Sequence, residues 1–212
     1  MADRLEFYAS TRPIKVNFDS VVTEISDTGA GYKVVFENGA FQHLTYAEGI
    51  NLAVGQTVTA GQVISLNDGT IDYAKRLPKY GMDTLFKSVE GYRLELTGVL
   101  NDYRKLWVKF VDYDFELYRL ECFINFETPS PYDTIFLSLC RPEDNESYLL
   151  SHLSEYEWVR PLDSNNTLLL KENVAFGEEV PLWIKRVINV PAQTYLNNRF
   201  EIGFKLAGFY KE

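Results

Sequence analysis

Arg199-Phe200-Glu201-Ile202-Gly203-Phe204-Lys205-Leu206 alternates along its length. In an extended chain, successive side chains point to opposite faces. Phe200, Ile202, Phe204 and Leu206 therefore share one face, and Arg199, Glu201 and Lys205 the other, the pattern of a half-buried strand. Tyr92, Leu94 and Leu96 alternate in the same way with Arg93 and Glu95. Working outward, runs rich in valine, isoleucine and aromatic residues predict further strands at Val21 to Ile25, Tyr32 to Phe36, Thr57 to Leu66, Leu106 to Val111 and Leu117 to Phe126. Thr134 to Cys140, Thr167 to Lys171 and Pro181 to Val190 complete the set.

Turn chemistry separates these runs: Asp27-Thr28-Gly29-Ala30-Gly31, Asn38-Gly39, Asn67-Asp68-Gly69, Asn101-Asp102, Asp163-Ser164-Asn165-Asn166, Gly177-Glu178-Glu179 and Asn197-Asn198. Asn38-Gly39 predicts a tight hairpin. The one helix candidate is Asn145 to Tyr156, with Asn145 as its cap and Leu149, Leu150 and Leu153 on one face; a loop with a short turn is the equal alternative for this stretch. No internal repeat is evident. Residues 71 to 90 break the alternation and gather Lys75, Arg76, Lys79 and Lys87, which reads as a linker. Short amphipathic strands bury their apolar faces best as two packed sheets, so the second half is expected to be a β-sandwich.

Composition narrows the function classes. At 212 residues, with 46% hydrophobic and 15% aromatic content, the chain can fill a substantial core. A net charge of -9 opposes phosphate binding, which draws its affinity from lysine and arginine. No nucleic-acid partner is expected. No signal-peptide core and no apolar run of about 18 residues is present, so no membrane partner is expected and the chain is read as soluble and made in the cytoplasm. Cys122 and Cys140 lie in strand-like apolar runs and read as buried hydrophobes rather than a disulfide.

Two stretches resemble known families. Gly31 to Gly39, Thr45-Tyr46-Ala47-Glu48 and Val54 to Ile64 resemble a lysostaphin-type zinc endopeptidase without its zinc ligands. Glu48 stands where that family's active-site histidine belongs. The early His and Asp ligands are missing around Phe7 to Val16, and Thr70 to Lys75 has no His-x-His. The V-G-x-x-V-x-x-G-x-x-I part is shared with lipoyl and biotin carrier domains, but neither Lys15 nor Lys33 sits at a carrier's hairpin tip. Val180 to Thr194 with Asn197 to Ile202, together with Cys122 to Phe126 and Thr167 to Leu170, resembles a β-sandwich module of tailed-bacteriophage virion proteins. The combined expectation is an all-β chain. Residues 1–72 form a degenerate peptidase-like, barrel-sandwich domain, residues 73–90 a linker, and residues 91–212 an antiparallel β-sandwich of jelly-roll or immunoglobulin-like type.

Catalytic zinc needs three protein ligands and an open position. The two histidines, His43 and His152, are too far apart in the chain to serve together. Glu48 with Asp19 or Asp72 lacks the dense carboxylate spacing of a calcium loop. No G-x-S-x-G and no phosphate-cradling glycine loop is present. No catalytic, cofactor or metal residue is therefore assigned, and no cofactor is expected. The one conspicuous cluster is Tyr103, Trp107, Tyr113, Phe115 and Tyr118, interleaved with Asp102, Asp112, Asp114 and Glu116. Its rings suit core and interface packing, or stacking on sugar faces.

The resemblance to virion modules, with no catalytic residues assigned, implies a non-enzymatic structural protein of a bacteriophage particle, in a tail, baseplate or fibre attachment. Its partners would be other virion proteins and copies of itself. The alternative is a carbohydrate-binding, host-receptor module using the cluster at 103–118. A residual peptidoglycan hydrolase is the third class, for which no clearing of bacterial walls is expected with or without zinc.

Overall fold

Alternation along two long segments sets the architecture. A computed structural model describes residues 4–77, 98–190 and 199–211. In it, β7 (Gly98–Phe110) and β11 (Glu179–Val190) pair along their full length, Val180 opposite Val108 and Ile188 opposite Leu100. β1 (Leu5–Ser10) pairs with β7 on its other side, β6 (Ile71–Leu77) pairs with β1, and β9 (Asp133–Leu139) pairs with β11. The result is a five-stranded antiparallel sheet ordered β6-β1-β7-β11-β9. A three-stranded sheet, β10-β8-β12, is formed by β10 (Leu168–Val174), β8 (Phe115–Glu127) and β12 (Phe200–Tyr210). The chain is an all-β sandwich.

The sandwich core follows from strand parity. Leu106, Val108 and Phe110 of β7 and Val180, Leu182 and Ile184 of β11 meet Leu117, Leu120, Cys122 and Ile124 of β8. Each fully buried aliphatic side chain contributes about 1.5–3 kcal/mol of transfer free energy. Pro181 is tolerated inside β11 because the pairing to β9 begins one residue later, at Leu182. Gly203 sits opposite Phe123, whose ring covers it so closely that a Cβ would lie 2.5 Å from Cζ. An aromatic ring laid over a strand glycine restores the packing that glycine lacks.

Between β1 and β6, which are neighbours in the large sheet, the chain makes an excursion that carries a second core. β2 (Ser20–Asp27), β3 (Gly31–Phe36), β4 (Phe41–Thr45) and β5 (Thr57–Val58) form a sheet ordered β4-β3-β2-β5. It encloses Val16, Val22, Val34, Phe36, Leu44, Val58 and Ile64. The pairing thus places Leu5–Ser10 and Ile71–Leu77 in the large sheet, so the excursion is inserted in the sandwich rather than set before it. Of the expected linker, residues 73–77 belong to β6; residues 78–90, with the expected strand at Tyr92 to Leu96, lie outside the described residues.

Thr57 to Leu66 is not one strand. Two matching turns replace it: Gly55 and Gly61 adopt positive φ (87° and 89°), and Gln56 and Gln62 each cap their own turn through Oε1, accepting from the Ala53 and Thr59 amides. Both turns dock on the opposing strand segment in the same way. Gly55 N donates to Val22 O and Val22 N to Gln56 O; Gly61 N donates to Val16 O and Val16 N to Gln62 O. This six-residue repeat, too short to stand out among the valines, was not expected.

The candidate helix is shorter than its sequence pattern. Asn145 caps α1 (Glu146–Ser151) by accepting from Tyr148 N at 2.7 Å, and a 3-10 turn follows at Leu153–Glu155. Only Leu149 faces inward; Leu150 and Leu153 are exposed.

Candidate functional site

The five aromatic residues singled out in the sequence fall in three places. Tyr103 and Trp107 lie on the outer face of β7, opposite in parity to Leu106 and Val108, yet both are buried. Tyr103 packs with Leu149 and Trp183 under the segment that carries α1, its ring centroid 5.6 Å from that of Trp158. Trp107 Nε1 donates to Gly69 O at 3.3 Å, anchoring the returning arm of the insert. Phe115 is in the sandwich core. Tyr113 and Tyr118 face solvent, 67% and 51% exposed. The five do not form one cleft.

One end of the sandwich instead assembles a different aromatic group. Tyr113 meets Phe176 edge-on at 5.5 Å, and Phe115 meets Tyr210 at 5.4 Å. Arg4 lies 3.9 Å over Phe115 and 5.0 Å over Tyr210, and pairs with Asp112 at 3.1 Å. Lys211 Nζ donates to Tyr113 O at 2.7 Å and sits over its ring. Tyr113, Phe176 and Tyr210 are each more than half exposed, so this end presents rings held by cations to whatever docks there.

Glu48 has a defined structural task. In the turn Thr45-Tyr46-Ala47-Glu48, Glu48 Oε2 accepts from Thr45 N at 2.7 Å and from Thr45 Oγ1 at 3.0 Å, and Glu48 N donates to Thr45 Oγ1 at 3.2 Å. This is the reciprocal arrangement of a capping box. Its other oxygen lies 3.3 Å from Lys75 Nζ, which is equally 3.3 Å from Asp72 Oδ2. The fold thus brings Glu48 and Asp72 together, and the cation between them is the Lys75 ammonium. Burial alone would lower the Lys75 pKa, but the Coulombic pull of Glu48 and Asp72, with hydrogen bonds to both, outweighs it and raises the value. Asp19 is elsewhere, accepting from Ala60 N. Among the described residues no group of three or more His, Cys, Asp or Glu side chains is placed to hold a metal ion.

The remaining reactive side chains are separated. His43 stands exposed on β4 beside Phe41, and His152 ends α1, stacked 4.0 Å from Tyr148. Cys122 is fully buried in the core and Cys140 half-buried; both are free, and desolvation pushes both thiols up to about 12.

Buried charges escaped the sequence reading. Lys105 is 1% exposed, its Nζ donating to Pro142 O and Asp144 O, both at 2.7 Å, so that it clamps the segment before α1 to the sheet. Desolvation lowers its pKa. Inside the sandwich, Arg104 grips Asp102 and Arg186 grips Asp133, with Arg186 opposite Asp102 across the strands. Their only sequence signal is a charge at a core parity position, as Arg104 is two residues before Leu106. Arg12 and Glu146, bonded through two contacts of 2.8 Å, fix the other arm of the insert to α1. Among the described residues no helix is long and apolar enough to cross a membrane. No protein-family profile matches the sequence, and no curated protein matches it significantly.

Proposed function

We propose that this chain is a non-catalytic structural protein of a bacteriophage particle, in a tail, baseplate or fibre attachment, working through contacts with other virion proteins and with its own copies. The observation that carries the reading is the use made of Glu48. The residue at the position of the peptidase-like histidine is bound into a turn and, through Lys75, into β6, so it serves the joint between insert and sandwich. Trp183, the tryptophan of the virion-type stretch, is 2% exposed and anchors the α1 segment on the outer face of the large sheet, a role in architecture. A scaffold of rigid sheets with one aromatic end suits the large interfaces of permanent assemblies. Light scattering of the purified chain, alone and mixed with the products of adjacent genes, tests this. A closed oligomer or a defined complex is expected; a monomer that none of them recruits removes the reading.

The exposed rings at Tyr113, Phe176 and Tyr210 favour carbohydrate recognition as a second reading, since exposed rings flanked by Asp112 and Asp114 can stack on sugar faces. Glycan-array binding abolished by Tyr113→Ala with the fold intact would support it. Indifference to every glycan would eliminate it.

A further inference from the structure

β9 and β10 are terminal strands of their sheets, and between these two edges the sandwich opens into a groove of about 620 Å³. Leu139 and Val159 line it from the β9 side, and Leu168 and Leu170 from β10. Leu168 and Leu170 also pack on the main core, so an apolar group lodged against them would extend that core. The outer edge of β9 is already partly used. Ile135 N donates to Glu127 Oε1 at 3.1 Å, and Leu137 exchanges two backbone bonds of 2.9 Å with Val159. In an antiparallel strand the amide and carbonyl of every second residue face the same edge. The next outward pair therefore belongs to Leu139, which is 51% exposed and lies in the groove.

The charge of the groove selects its occupant. Glu155 and Glu157 line it and are exposed, with no ion-pair partner among the described residues; Glu155 accepts only from the Tyr148 hydroxyl. The one cation in the lining, Arg141, is committed to Asp144 at 3.0 Å. We infer that the groove receives an extended segment of a partner protein bearing lysine or arginine. The segment pairs its backbone with the edge of β9 at Leu139 alone, because Val159 takes the Leu137 pair and Asp144 the Arg141 amide; it seats one apolar side chain against Leu168 and Leu170, and sets its cations beside Glu155 and Glu157. Backbone pairing supplies affinity in such strand addition, and side-chain pockets supply selectivity.

The test is fluorescence anisotropy of the intact chain with a labelled heptapeptide alternating lysine and valine, compared with its glutamate–valine counterpart. The lysine peptide should bind and the glutamate peptide should not. Glu155→Gln and Glu157→Gln, both at exposed positions, should weaken binding by roughly two- to fivefold each. Leu168→Lys should abolish it. N-methylation of the peptide backbone should also abolish it, and hydrogen exchange at the Leu139 amide should slow when the unmodified peptide is present. Absence of binding up to millimolar peptide overturns the inference. So does binding that ignores the glutamine substitutions, tolerates N-methylation or leaves Leu139 exchange unchanged.

Discussion

Replacing Glu48 with alanine removes the side chain that joins the end of β4, the following turn and β6. Two hydrogen bonds from Thr45 to a buried carboxylate are lost, at 2.7 and 3.0 Å, and the Thr45 amide is left without its acceptor. Bonds to a charged group contribute about 1.5–3 kcal/mol each when intact. The contact with Lys75 adds under about 1 kcal/mol, because the lysine side chain is half exposed and Asp72 remains beside it. The variant should therefore unfold with a loss of about 3–6 kcal/mol, or roughly 6–24 °C in Tm for a chain of this size. Urea unfolding followed by circular dichroism measures it, with the slope m unchanged if only stability moves. Glu48→Gln keeps an acceptor for Thr45 and should lose about half as much. A Glu48→Ala variant within about 0.5 kcal/mol of wild type would refute the reasoning, since that is the cost of an ordinary surface substitution.

Three further outcomes are expected. Lys105 holds a lowered pKa in the folded chain, so the unfolded chain binds more protons once pH rises through that value. Wild type should gain stability relative to Lys105→Met as pH climbs toward 10.5, and parallel urea curves at neutral and alkaline pH would show it. Desolvation, then the charge of Glu146, raises the Asp68 pKa, so its stabilising contribution is present below 3.8 and is lost as pH rises through the folded value; Asp68→Asn should be more stable than wild type at neutral pH in thermal melts. Gly31→Ala should cost about 3 kcal/mol or more, because its Cβ would fall 2.1 Å from Leu44 O, whereas Gly39→Ala, with open space around it, should cost only about 1–2 kcal/mol for its positive φ.

Local pattern revealed most of the strands because parity is written in neighbouring residues. Phe200 to Leu206, Leu117 to Phe126 and Asn38-Gly39 all carry their structure within a few positions. Pairing partners are not encoded locally. Nothing near Leu5–Ser10 announces that it pairs with Ile71–Leu77, so the insertion was invisible, and Asp72 gave no sign that it would be fully buried. Thr57 to Leu66 has strand composition, but Gly55 and Gly61 divert it into turns that leave only the two-residue β5, and from the run only Val58 and Ile64 reach the core while Val63 stays exposed. The aromatic cluster misled for a related reason. Parity sends Tyr103 and Trp107 to the outer face, where distant parts of the chain meet them: Leu149, Tyr156 and Trp158 pack around Tyr103, and Gly69 of the insert's returning arm accepts from Trp107. Lys75 lies in a basic stretch with the composition of a linker, yet it supplies the cation that Glu48 and Asp72 share.

Calorimetric titration of the intact chain with zinc bears most directly on the insert as architecture. With the Lys75 ammonium seated between Glu48 and Asp72, no saturable heat is expected at micromolar zinc. One-to-one binding that disappears in Glu48→Ala would contradict the account.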